Sequence, residues 1–396
     1  METEQIVLKR WEEEIRGAIR TVDGLKKIIS LTKEEEEKLP LILQSYKMAI
    51  TPYYAGLIDP TDPEDPIKKL VVPSVEELKD DGGYFDTSGE ADNTKIRGLQ
   101  HKYKKTALLL PTPICASYCR YCFRKRFTTG SLNKMEASVD WENAFKYLRE
   151  HKEINNVLIT GGDPLILSNQ KLEFIFENIR QIDHIKIIRI GTKFPAFNPF
   201  RLMDEDFLDL IRRYSLPEKR IYIVSHFDHP RELTKEAIDC IDGVIKAGAH
   251  VINQTVFHKG INDDPFVLRE LFSRLAEAGI APYYLFQLRP VKGSLRYRIP
   301  ISEGIKIFEE AKKDLSGLAR RVRYAMSHYT GKIEILGSHK FGRKEMIILK
   351  YHSNRDENLV GSIFSVPMNK MGCWLDDFLS GSQDLKSVGS RQKAAV

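Results

Sequence analysis

From Thr106 onward, short apolar runs rich in β-branched and aromatic residues alternate with amphipathic segments of helical spacing. That alternation makes consecutive strands parallel, because each helix carries the chain back across a sheet face, so the fold class is α/β. The runs are "ALLLPTP", "NVLITGG", "IKIIRIGT", "RIYIVSHF", "HVINQTVF" and "APYYLFQL", separated by helices such as "WENAFKYLREH", "NQKLEFIFENIRQI" and "DPFVLRELFSRLAEAG". Six successive units predict a partial (β/α)6 barrel, and periodicity alone leaves a doubly wound open sheet as the alternative.

The flanking segments set the domain organisation. Residues 1–105 read as an N-terminal helical region, with apolar spacing through Ile6, Leu8, Trp11, Ile15 and Ile19, and then a proline-rich strap. Prolines at 52, 60, 63, 66 and 73 forbid a continuous helix there, so the strap is expected to be extended. The barrel occupies 106–300, a strand-containing extension 301–379, and a polar tail 380–396.

Ligands of parallel sheets bind at the C-terminal edge. Each apolar run ends there in polar or glycine residues: Cys115, Gly161-Gly162-Asp163, Gly191-Thr192, His226, Gln254 and Gln287 are expected to converge on one site.

Three of the five cysteines, Cys115, Cys119 and Cys122, form C-x3-C-x2-C in "PICASYCRYCFRKRF". Clustered thiols in so long a chain do not make a disulfide framework; in a reducing compartment they serve a metal. A structural zinc wants four closed ligands, and His101 is the best fourth ligand nearby. Three thiolates on a loop after a strand suit a four-iron cube with one iron left open for chemistry. From Ala91 to Met135 ten basic residues stand against Asp92 as the only acid, so an anionic cofactor or substrate is expected beside the thiols.

Overall charge excludes little else. A net +6, from 61 basic and 55 acidic residues, is too small and dispersed to propose nucleic-acid binding, and a metal-stabilised RNA-binding module is only a remote alternative. No run of eighteen apolar residues occurs and the first residues are charged and amphipathic, which predicts a cytoplasmic protein without a membrane partner.

With C-x3-C-x2-C after the first strand and Gly161-Gly162-Asp163 after the second, the chain resembles the radical S-adenosylmethionine superfamily. Within it, "LTKEEEEK", "MAITPYYAGLIDPTDPEDPI", "CRYCFRKRF", "ITGGDPL", "IIRIGT", "SHFDHPRE" and "NQTVFHKGIND" resemble segments of the lysine 2,3-aminomutase family in the same order. The resemblance implies a 4Fe-4S cluster on Cys115, Cys119 and Cys122, and S-adenosylmethionine bound by Gly161, Gly162 and Asp163, with His226, Asn253 and Gln254 lining its site. It also implies pyridoxal phosphate on Lys332 in "SHYTGKIEI", with Lys105 near the phosphate, and Arg124 on the substrate carboxylate. The activity it implies is an isomerase converting an α-amino acid to its β-amino isomer, served by an electron donor such as flavodoxin or ferredoxin.

Departures from the family concern the substrate. The aspartates that bind the lysine ammonium in the lysine enzymes correspond to Gln287 and to Ala325 or Met326. A buried ammonium without an opposite charge is costly, so lysine is not the expected substrate. The loop "QLRPVKGSLRYRIP" instead brings Arg289, Lys292, Arg296 and Arg298, which favours an acidic substrate such as glutamate, with Gln287 and Arg289 as contacts. Of the family's glycine run before the cofactor lysine only Gly331 remains, and the main rival is therefore a radical enzyme of the superfamily without pyridoxal phosphate. The family's zinc-binding cysteines are also missing, so no structural zinc is expected, and a homo-oligomer is compatible with the chain without being required by it.

Overall fold

The computed structural model describes residues 8–80, 82–129 and 138–379. Ile6 of the first amphipathic pattern, Lys134 of the basic window and the tail 380–396 lie outside the described residues.

One sheet of twelve strands, in which each strand neighbours the next in the chain, organises the fold. Two short antiparallel strands, β1 (Thr94–Ile96) and β2 (Leu99–Tyr103), lead into β3 (Thr106–Thr112). The parallel run continues through β4 (Asn156–Gly161), β5 (Ile187–Gly191), β6 (Ile221–Ser225), β7 (His250–Phe257) and β8 (Ala281–Gln287). These are the six apolar runs of the sequence. A further strand, β9 (Arg323–Ser327), is also parallel to its predecessor, after which β10 (Gly331–Phe341), β11 (Lys344–Asn354) and β12 (Ile363–Pro367) are antiparallel. The stretch "VRYAMSHYTGKIEILG" is thus two strands joined by a turn at 328–330, which puts Lys332 at the start of β10, opposite Ser327. The sheet stays open, with β1 and β12 at its edges.

Side-chain alternation divides the two faces of the parallel run. Ala107 and Leu109, Val157 and Ile159, and Ile188 and Ile190 are sealed against helices such as Asn169–Arg180, whose Leu172, Ile175, Phe176 and Ile179 are buried at the helical period. Their neighbours Leu108, Leu158, Thr160 and Arg189 line a cavity on the other face. Oxygen caps start the connecting helices: Asp140, Ser168, Thr234 and Asp264 each accept a backbone N–H of the first turn.

The N-terminal region is helical as expected, with Thr32 and Glu35 forming a capping box before Lys33–Ser45. The strap is not extended throughout, because Pro52 and Pro66 each occupy the first position of a short helix, where a missing N–H costs nothing. It lies against the cysteine loop: Tyr118 N donates to Ala49 O at 3.2 Å and Arg120 N to Leu70 O at 2.9 Å. The Arg120 guanidinium, 1% exposed, donates to both Glu77 oxygens at 2.9 and 2.6 Å and to Lys47 O at 2.9 Å. Among the described residues no helix is long and apolar enough to cross a membrane.

Candidate active site

A cavity of about 690 Å³ opens at the C-terminal ends of the parallel strands. That is ample for small-molecule ligands. Its wall includes Cys115, Cys119 and Cys122, all three half-buried on the loop after β3. Burial pushes all three thiols up, Cys119 to about 12, although Lys193 pulls that one back. Burial thus favours the neutral thiols, and a bound cation favours the thiolates. Among the described residues no three His, Cys, Asp or Glu side chains surround one point as ligands of a single ion would. A cube, in which each cysteine takes a separate iron, has no such requirement.

Gly161-Gly162-Asp163 packs directly on the cysteine loop. Gly162 N donates to Thr112 O at 2.7 Å and Asp163 N to Ile114 O at 2.9 Å. A Cβ on Gly162 would stand 2.4 Å from Ile114 O, and Gly161 adopts φ +109°, so both positions suit glycine alone. The Asp163 carboxylate accepts from Lys193 N at 2.7 Å, Leu165 N at 3.1 Å and the Thr192 hydroxyl. Burial nevertheless raises its pKa to about 6, with those hydrogen bonds opposing.

Beneath the cysteines runs a sealed ionic network. Lys193 Nζ lies 2.7 Å from Asp228 Oδ2 and 2.9 Å from Glu232 Oε1. Burial works against its charge, yet the two carboxylates hold its pKa above the usual lysine value. Asp228 also accepts from the Tyr121 hydroxyl and from Val256 N, and pairs with His226 Nε2 at 3.1 Å. His226, on the cavity wall, is thereby held in orientation from behind.

Gln254 lines the cavity, and Asn253 does not. Adjacent strand residues face opposite ways. Asn253 turns into the protein, accepting from Phe227 N at 2.8 Å and donating to Phe227 O at 3.1 Å and Thr255 Oγ1 at 2.9 Å.

Arg124, Arg289 and Lys332 also line the cavity. Arg124 donates to Glu90 Oε1 at 2.8 Å and Thr160 Oγ1 at 3.1 Å. Arg289 donates to the hydroxyls of Ser88 and Ser327. Burial lowers its pKa to about 10. Lys332 Nζ faces the rings of Tyr284 and Phe286. Burial first, then the charges of Arg189, Arg289 and Arg323, push its pKa down to about 7. Lys105 stands exposed at the cavity's edge.

Gln287 belongs to the structure of the wall. Its amide donates to Ile299 O at 2.7 Å and Cys373 O at 3.0 Å, and its oxygen accepts from the Tyr324 hydroxyl. With its amide donors spent on the chain, the polar group this loop offers the cavity is Arg289. Lys125 also lines the cavity; it is 4% exposed and donates to Gly293 O at 3.1 Å.

Several wall residues escaped the reading of the sequence. Arg189 sits in mid-strand and donates to Asn156 Oδ1 at 2.9 Å. His352, on β11, lies within 3.4 Å of Arg323 and is pushed down to about 4 by burial and then by Lys332. Lys102 is not on the wall itself: it donates to His328 O at 3.0 Å in the turn before Lys332, and burial lowers its pKa to about 7. A charged residue inside an apolar strand run, as in "IKIIRIGT", was the available signal for Arg189.

Comparison with known proteins adds an independent line. The pattern of the Radical SAM superfamily matches residues 109–271. A protein of Aquifex aeolicus (strain VF5), provisionally named an L-lysine 2,3-aminomutase, is 42% identical over 371 residues, covering 93% of this chain and 97% of its own. The L-lysine 2,3-aminomutase of Clostridium subterminale is 37% identical over 78% of this chain and 73% of its own. The glutamate 2,3-aminomutase of Clostridioides difficile (strain 630) is 36% identical over 78% of this chain and 72% of its own.

Proposed function

Since the chain belongs to the lysine 2,3-aminomutase family of radical S-adenosylmethionine enzymes, we propose that it moves the amino group of an acidic α-amino acid, glutamate foremost, from Cα to Cβ. The observation that carries the choice of an acid is the cavity itself: it holds Arg124 and Arg289 together, and among the described residues no carboxylate side chain but Asp163 and Glu357 is on its wall. Asp163 is engaged with the backbone and Glu357 pairs with Lys104 at 2.9 Å, so neither awaits a substrate ammonium.

The enzyme is an isomerase that uses a 4Fe-4S cluster, S-adenosylmethionine and pyridoxal phosphate. The reduced cluster with S-adenosylmethionine supplies a carbon radical that removes a hydrogen atom, and pyridoxal phosphate supplies the carrier through which nitrogen changes carbons. Everything else falls to the side chains. Cys115, Cys119 and Cys122 would hold the cluster, and Gly161 and Gly162 would leave room for S-adenosylmethionine beside it, with His226 and Gln254 as polar contacts. Lys332 would carry pyridoxal phosphate: its Nζ gives up a proton near neutral pH, so the free amine is available for attachment. Arg189 adds positive charge on that side, suited to a phosphate. Arg124 would take the substrate's α-carboxylate and Arg289 the distal one, since a planar fork pairs with a carboxylate in two bonds. Tyr284 and Phe286 limit water around the amine.

The finer architecture follows the same reading: the open parallel run with one cavity face is a partial (β/α)6 barrel over 106–300, with helical and strand-containing extensions at 1–105 and 301–379. A flavodoxin or ferredoxin in the cytoplasm would reduce the cluster, and the chain's own oligomer is compatible with this scheme.

Borohydride reduction of the loaded, anaerobic enzyme followed by peptide mapping tests the assignment. A phosphopyridoxyl group on Lys332 and turnover of glutamate, but not lysine, to a β-amino isomer are expected. An unmodified Lys332, or turnover of lysine alone, overturns it.

A further inference from the structure

Phe123 follows the third cysteine and lies half-buried on the cavity wall. Two guanidinium groups pack on its ring, Arg124 with its central carbon 4.6 Å from the centroid and Arg289 at 4.2 Å. Like charges repel, and Arg124 is among the groups that depress the pKa of Arg289, after burial. Their pairing is uneven: Arg124 makes an ion pair with Glu90, whereas Arg289 donates to the hydroxyls of Ser88 and Ser327 and feels the charges of Glu90 and Asp86 from further away. The negative face of an aromatic ring attracts a guanidinium, so Phe123 holds both cations beside the one ion pair that Arg124 makes.

We propose that Phe123 is a specificity-determining positioning residue, its ring spacing Arg124 and Arg289 to receive the two carboxylates of one short acidic amino acid. This rests on the acidic-substrate reading above. The two guanidinium carbons are no further apart than the sum of their distances to the shared centroid, a span that two carboxylates a few bonds apart can bridge. A ligand with one carboxylate leaves the second arginine buried without an anion, which costs affinity. Specificity then comes as much from the unpaired charge left by the wrong ligand as from the bond made by the right one.

The test is calorimetric titration of the anaerobic enzyme, loaded with cluster and pyridoxal phosphate, with glutarate and with pentanoate. Wild type is expected to bind glutarate at least tenfold more tightly. Arg289→Met should abolish that ratio. Phe123→Leu and Phe123→Met should each cut it about tenfold, as loss of two cation–ring contacts implies. Phe123→Tyr should restore it. In turnover the leucine variant should raise KM for the acidic substrate and leave kcat near wild type. An unchanged ratio in Arg289→Met overturns the acidic-substrate reading and this proposal with it. A ratio lost in Arg289→Met but kept in Phe123→Leu overturns the role of Phe123 alone. Loss of the cluster's visible absorbance in both non-aromatic variants also counts against the proposal, because it would assign the ring to the fold of the cysteine loop.

Discussion

Lys332 Nζ stands 4.1 Å from the centroid of the Tyr284 ring, on a wall where its charged neighbours are arginines. Burial, then Arg189, Arg289 and Arg323, favour the neutral amine and bring its pKa to about 7. The amine is therefore mostly free above that pH and protonated below it. Uptake of pyridoxal phosphate by the apoenzyme should accelerate as pH rises through about 7 and then level off, followed by absorbance in a stopped-flow mixer. Removing a neighbouring charge with Arg189→Met should move the curve to higher pH, and Lys332→Arg should abolish uptake.

Gly162 meets only backbone on the side where a Cβ would project, with Ile114 O at 2.4 Å and Ile114 N at 2.7 Å. Backbone cannot rotate aside as a side chain can, so Gly162→Ala must displace the cysteine loop, at a cost of about 1–3 kcal/mol. Iron and sulfide content should fall, and Kd for S-adenosylmethionine should rise about tenfold. Gly191→Ala is the control: its Cβ would meet the Thr160 hydroxyl at 3.3 Å, and cluster content should hold.

Glu77 is the carboxylate that neutralises Arg120, with Lys125 at 4.0 Å and Arg296 at 3.9 Å from its oxygens. Although burial opposes its charge, Arg120 holds its pKa below the ordinary 4.5. For a carboxylate with a depressed pKa the stabilisation is present above the unfolded value and is lost as pH falls through the folded one. Glu77→Gln should thus lower stability at pH 7 by about 3–5 kcal/mol, the cost of leaving a buried arginine unpaired. The gap to wild type, measured as apparent Tm, should narrow as the buffer is taken below 4.5.

Gln287 and Arg289 should separate cleanly in mutagenesis. Gln287→Met leaves the carbonyls of Ile299 and Cys373 without their donor, a loss of about 1–3 kcal/mol that thermal unfolding can read. The preference for glutamate over an uncharged amino acid should survive it. Arg289→Met should do the reverse, with substrate preference lost and the apparent Tm within a few degrees of wild type.

Features encoded in short, contiguous stretches were legible in the sequence. Cys115, Cys119 and Cys122 depend only on their own spacing, and the strand ends at Gly161, His226 and Gln254 follow from period-2 runs closed by polar residues. What depends on register was not. Asn253 and Gln254 are one residue apart, and the direction of the strand's pleat decides which faces the cavity. The same holds at the end of β8, where the Gln287 amide is spent on the carbonyls of Ile299 and Cys373 and the loop beyond offers Arg289. The split between β9 and β10 was hidden because the turn at 328–330 interrupts an otherwise continuous run of strand formers. His352 reaches the site from a strand outside the six units, and only pairing across the sheet reveals that.

The strap is made before the groups that complete its contacts. Residues 47–77 leave the ribosome first, but the groups they seat against are Ser117, Tyr118 and Arg120, with Arg296 completing the charge network around Glu77. During synthesis the strap can pair at once with the preceding region, as Ile50 does with Ile19, but its contacts to the cysteine loop wait for that loop and its ionic closure waits until residue 296 is available. The strap's last contacts are thus made only after the thiols are in place, and the cavity that the thiols line stays open once it has docked.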